Sequence, residues 1–127
     1  MSTEALKITT NPLPNSRIAV QLEIEAESCS KSYDDALNRL SRSVKLPGFR
    51  QGRIPKQVIL QQVGITRIKA AALENLIEST WKKAKDEKSI ETLGEPNLKE
   101  GFEELIQQFD PSKKLIFTLE ADAPPKP

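Results

Sequence analysis

Apolar and polar positions alternate at both ends of this chain and recur at helical spacing in its middle. Leu6, Ile8 and Thr10 alternate with Lys7 and Thr9, which predicts a short first strand. The stretch Asn11-Pro12-Leu13-Pro14-Asn15 reads as a turn. Ile18, Val20, Leu22 and Ile24 then alternate strictly with polar or small residues, predicting a strand with one buried face, paired to the first as a hairpin. The period changes at Tyr33, Leu37, Leu40 and Val44, an apolar stripe along one helix face. Ser30 or Ser32 is expected to cap that helix, with Asp34 and Asp35 in its first turn. Leu46-Pro47-Gly48 is expected to end it.

After an exposed loop at 48–54, Pro55 is placed at the first position of a helix over 55–63, with Val58, Ile59 and Val63 inward. Gly64 stops it. Thr66 is expected to cap a longer helix to about Lys88, with a stripe of Leu73, Leu76, Ile77, Trp81 and Ala84. Trp81 is assigned to the core rather than to a ligand platform. Leu93 to Leu98 predicts a turn and an edge strand, because Pro96 cannot donate to a central ladder. Phe102, Leu105, Ile106 and Phe109 have helical spacing, and Leu115, Phe117, Leu119 and Ala121 alternate as a last strand. The plan is α+β: an antiparallel sheet of about four strands carrying helices on one face, with a helix-loop-helix exposed. One domain over 1–122 is expected, and Ala123-Pro124-Pro125-Lys126-Pro127 reads as the start of a linker.

Composition narrows the chemistry. The 127 residues hold no histidine and one cysteine, Cys29. Histidine triads, histidine acid–base catalysis, a Cys-rich metal site and an internal disulfide are therefore excluded. No phosphate-binding glycine loop, dinucleotide fingerprint or calcium loop is present. The carboxylate pairs Asp34-Asp35 and Glu103-Glu104 are adjacent on expected helices, so their side chains diverge and solvated faces explain them. No cofactor and no metal are expected. The absence of an apolar run of about 18 residues argues against a membrane helix. The polar start and the lone cysteine suit a reducing, cytoplasmic setting. A binding module is the simplest reading.

Charge sharpens that reading. The net charge is +1, but residues 36–73 contain eight basic side chains and no acidic one, leaving 11 basic and 18 acidic in the other 89 residues. A chain this polarised has a basic end suited to an acidic partner, such as a phosphate backbone or an acidic protein. Within that segment Phe49 stands out. Gly48 and Gly52 flank it, cations surround it, and Pro47 and Pro55 stiffen the approach. Such a loop can hold an aromatic ring and a guanidinium away from the core as a contact pair.

The motif Gly48-Phe49-Arg50-x-Gly52-x-x-Pro55 resembles the loop of the bacterial trigger factor family, chaperones that dock at the ribosomal tunnel exit. The resemblance covers essentially the whole chain, as the ribosome-binding N-terminal domain alone. It implies that the loop binds the large ribosomal subunit, through a ribosomal protein at the exit with help from nearby ribosomal RNA. Phe49 and Arg50 match the first two tip residues, as apolar anchor and ion-pair donor. Gln51 stands where the family usually has Lys, and would act as a neutral hydrogen-bonding substitute. Arg53 would be a supporting charge, Gly48, Gly52 and Pro55 would shape the loop, and Arg42, Lys45 and Lys56 would form a supporting basic patch. The resemblance also implies contact with nascent polypeptide, permits a homodimer, and assigns peptidyl-prolyl isomerase activity to a following domain. No such activity is expected of this fragment. The competing reading from the residues is a general RNA- or DNA-binding module using 36–73. It lacks a base-stacking platform, since aromatic residues are only 5% of the chain.

Overall fold

The computed structural model describes residues 6–124. Strand β1 (Leu6–Leu13) runs antiparallel to β2 (Arg17–Ile24), with Leu13 opposite Arg17. The reversal falls at Pro14-Asn15-Ser16, where Asn15 and Ser16 take φ of 63° and 57°. The expected turn at 11–15 is thus displaced, and Asn11 and Pro12 belong to the strand. β1 is an edge strand, which tolerates a proline because its outer side makes no ladder bonds.

Helix α1 (Ala26–Ser43) follows directly on β2. It begins well before Ser30 and Ser32, so neither caps it. Glu25 occupies the cap position without a side-chain bond, and Asp34 and Asp35 lie mid-helix. The large-residue stripe understated the helix because its first turns bury small side chains, Cys29 and Ser32, together with Ala36 further on. Helix α2 (Lys56–Val63) has Pro55 at its cap rather than at its first position; the Pro55 carbonyl accepts from Val58 and Ile59 N–H at 3.0 and 3.1 Å. Ile59 is buried, while Val58 and Val63 are half-buried against the core. Helix α3 (Ile65–Lys88) starts at Gly64, which puts Thr66 inside the helix instead of at its cap. Its buried face carries Ile68, Leu73, Leu76, Trp81 and Ala84, with Ile77 half-buried beside them.

Strand β3 (Leu93–Leu98), helix α4 (Phe102–Gln108) and strand β4 (Leu115–Asp122) complete the chain. The sheet order is β1-β2-β4-β3, all antiparallel, so β3 is the second edge, as Pro96 requires. At its centre, Ile24, Leu22 and Val20 of β2 stand opposite Leu115, Phe117 and Leu119 of β4. Five of these six are 0–1% exposed, and Leu115 is 4%. This shared apolar face packs against the helices, which is the α+β plan that the alternating strands and amphipathic helices predict. Lys126 and the outer prolines of the expected linker lie outside the described residues.

Candidate interaction loop

Two consecutive tight turns carry the chain from α1 to α2. The Phe49 N–H donates to the Leu46 carbonyl at 3.2 Å, and the Arg53 N–H to the Arg50 carbonyl at 2.9 Å. The third residue of each turn is a glycine, Gly48 at φ +85° and Gly52 at φ +84°. Positive φ at that position is the mark of a type II turn, and Pro47 at the preceding position is the residue that turn favours. A Cβ at either glycine would meet nothing within 4 Å. The requirement for glycine here is therefore one of backbone conformation and not of space.

The turns project the side chains that the sequence singled out. Phe49 is 44% exposed, and Arg50 and Arg53 flank it in solvent. Ile54 turns inward at 6% exposure and anchors the loop to the core. Arg42 lies in the last turn of α1, Lys45 in the connecting segment, and Lys56 at the start of α2. All three are exposed. Among the described residues, the ion pairs join Arg17 to Glu120 and Asp122, and Lys114 to Glu23, all away from the loop. The loop cations therefore face solvent without internal carboxylate partners, in a stretch of chain free of acidic residues.

Gln51 behaves differently from its neighbours. Its carboxamide Nε2 donates to the backbone carbonyl of Arg42 at 2.7 Å, turning the side chain back onto the end of α1. Nothing in the sequence pattern announced this bond. Beside it, Lys45, Leu46, Pro47, Phe49 and Gln51 line an open depression of about 450 Å³.

The structure divides the basic segment. Arg39 and Arg42 share a polar groove with Asp35, Asn38 and Asn75, while Arg67 and Lys69 belong to the first turns of α3. A further feature escaped the sequence reading: a groove of about 460 Å³ between α3, β3 and α4, floored by Ile77, Trp81 and Phe102 and rimmed by Glu74, Glu78 and Glu95. Trp81 is buried at 8% exposure, as its place in the helical stripe predicts, yet its remaining edge reaches this groove. The Lys85 ammonium stands 5.5 Å from the centre of its ring.

Cys29 is fully buried, and its thiol points to the Ile24 carbonyl at 3.9 Å. Burial pushes its pKa up to about 11, against a smaller opposing effect of a backbone hydrogen bond at Leu115. A protonated, inaccessible thiol is a poor nucleophile. Among the described residues, no group of three or more histidines, cysteines or carboxylates is gathered as metal ligands, and no helix is long and apolar enough to cross a membrane.

Fold and loop together define an α+β domain that holds a cationic, aromatic loop in a fixed backbone conformation. A solved structure of the trigger factor chaperone shares the fold, with a TM-score of 0.65 and 22% identity over 94% of this chain and 27% of that one. The family model of the bacterial trigger factor protein (TF) matches residues 6–127. A trigger factor of Prochlorococcus marinus is 54% identical across all of this chain, which covers 27% of that protein's length. A trigger factor of Synechococcus is 51% identical over 98% of the chain and 26% of its own length. The chain belongs to the bacterial trigger factor family and spans about a quarter of the length of these relatives.

Proposed function

We propose that this domain docks on the large ribosomal subunit at the peptide tunnel exit through the 48–55 loop, and so places a chaperone beside nascent polypeptide in the cytoplasm. Phe49 supplies the apolar anchor. Arg50 donates to an acidic group on a ribosomal protein, and Arg53 adds charge toward that protein or neighbouring ribosomal RNA. Arg42, Lys45 and Lys56 attract the negatively charged particle over a longer range. The observation that carries this reading is the exposure of Phe49, 44%, on a backbone held by two hydrogen-bonded turns. A large ring kept in water on a preformed loop favours association, because little conformational entropy remains to be lost on binding. Catalysis forms no part of this fragment's role. In the full-length protein, isomerase activity belongs to a domain beyond the linker that starts at about residue 123.

Co-sedimentation with large ribosomal subunits, at low and moderate salt, tests the proposal. The wild-type domain is expected to pellet with the subunits, less so as salt rises. The double variant Phe49→Ala/Arg50→Ala is expected to remain in the supernatant while keeping the fluorescence of buried Trp81. Equal pelleting of both proteins would overturn loop docking and favour RNA binding by the wider basic segment.

A further inference from the structure

The strongest unassigned contact in the loop is the one made by its neutral member. We infer that Gln51 is a positioning residue: its carboxamide closes the end of α1, fixes the backbone that presents Phe49 and Arg50, and does not itself touch the ribosome. The inference rests on the docking role proposed above.

The last carbonyls of a helix have no partner within it and need donors from elsewhere. At the end of α1, two serine hydroxyls bond back to carbonyls of the preceding turn, which also have backbone donors of their own. Ser41 Oγ donates to the Asn38 carbonyl at 2.8 Å, and Ser43 Oγ to the Leu40 carbonyl at 3.1 Å. The Val44 N–H also reaches the Leu40 carbonyl, at 3.0 Å. The Arg42 carbonyl receives its donor from Gln51, nine residues further on and at 2.7 Å. That bond is the shortest of the four.

Its position in the chain gives it leverage. Gln51 is the second residue of the second turn, and Arg42 lies in the last turn of the helix. The bond therefore closes a ring around Lys45 to Arg50, with the first turn wholly inside it. Three hydrogen bonds then bracket the presenting residues: Phe49 to Leu46, Arg53 to Arg50, and Gln51 to Arg42. Without the last, each turn could form while the pair swung as a unit about the segment 44–46.

The same geometry argues against a direct contact. One of the two carboxamide N–H groups is committed to α1, which fixes the direction of the side chain, and the side chain carries no charge to exchange for counterions on a phosphate surface. A lysine at 51 could serve the same carbonyl, since an ammonium is a donor and a helix C-terminus favours positive charge. A glutamate has the shape of glutamine but offers an acceptor to an acceptor.

Three variants separate positioning from contact: Gln51→Glu, Gln51→Ala and Gln51→Lys. In the free domain, amide hydrogen exchange at Phe49 and Arg53 is expected to accelerate about fivefold in the Glu and Ala variants, the loss of one hydrogen bond's net effect, and to stay near wild type in the Lys variant. Co-sedimentation with large subunits is expected to weaken severalfold for Gln51→Ala with an unchanged salt dependence, since no cation has been removed. Weaker sedimentation with unaltered exchange would overturn the inference in favour of direct contact. Faster exchange with unaltered sedimentation would overturn it as well, because the tie would then not govern docking. Failure of the wild-type domain to sediment would instead reject the docking role itself, with the exchange data still reporting whether the tie exists.

Discussion

The Ser32 hydroxyl donates to the backbone carbonyl of Ala72 at 3.1 Å, joining α1 to α3 across forty residues of sequence inside the core. Ser32 is 7% exposed, so the hydroxyl has no access to bulk water as an alternative partner. The Ala72 carbonyl lies mid-helix in α3, so Ser32→Ala leaves no orphaned acceptor. It should cost about 1 kcal/mol, at the ordinary net value of a hydrogen bond. Urea denaturation followed by Trp81 fluorescence would measure the loss, and ribosome sedimentation of the folded variant should be unaffected.

On the docking role proposed above, Phe49 should govern binding and Ile54, five residues on, stability. Phe49→Ala should change unfolding free energy by less than about 0.5 kcal/mol, as expected at an exposed position, while abolishing sedimentation with large subunits. Ile54, 6% exposed, should behave oppositely. Ile54→Ala should cost about 2–4 kcal/mol by leaving a cavity under the loop. Paired urea titrations and sedimentation would show the two effects diverging.

Gly48 and Gly52 sit at φ +85° and +84°, with open space where a Cβ would go. Alanine at either is therefore strained only through the backbone, by about 1–2 kcal/mol. The cheapest relief is a local change of the turn, so each variant should stay folded at room temperature and lose ribosome affinity. The expected outcome is a small shift in the urea midpoint beside a large fall in the sedimented fraction.

Alkaline pH should destabilise the domain through Cys29. Its folded pKa is raised to about 11 from an ordinary 9.0, mainly by burial. The protonated thiol is favoured in the fold, so its contribution is complete below pH 9 and is lost as pH rises toward 11. A shift of that size corresponds to about 2–3 kcal/mol. Cys29→Ala should be less stable than wild type at about pH 8 but should lose less stability across the interval between the two pKa values. Thiol-reactive reagents at about pH 8 should modify Cys29 only as fast as the protein opens.

The large alternating side chains located the strands well. Val20, Leu22 and Ile24, and likewise Leu115, Phe117 and Leu119, all face the core, because period two is a local property that survives any choice of partner. Pro96 marked β3 as an edge for an equally local reason, its missing N–H. The start of α1 was less legible. Ser30 and Ser32 have the chemistry of caps, but Ser32 is buried mid-helix, where its hydroxyl serves another helix rather than its own first turn. Pro12 misled in the opposite direction: it looks like turn chemistry, yet an edge strand accommodates it.

In the loop, Gly48, Phe49, Arg50, Gly52 and Pro55 were readable as a motif, since turn glycines, prolines and exposed cations depend on neighbours in sequence. Gln51 was readable only as a neutral residue among cations. Its bond to Arg42 depends on where α1 ends and which way the second turn faces, and no local pattern encodes that.

Periodicity, backbone restriction and charge act over a few residues. They were enough to specify the elements, the α+β class, the basic polarity of 36–73 and the chemistry displayed at the loop tip. Packing of the whole chain was needed to set β4 between β2 and β3, to join α1 to α3 through Ser32, and to turn Gln51 back onto the end of α1 while Phe49 faces away from it into water. A strand order, a buried hydroxyl and a helix-end carbonyl find their partners through distance in space, which the chain fixes only when the core has closed.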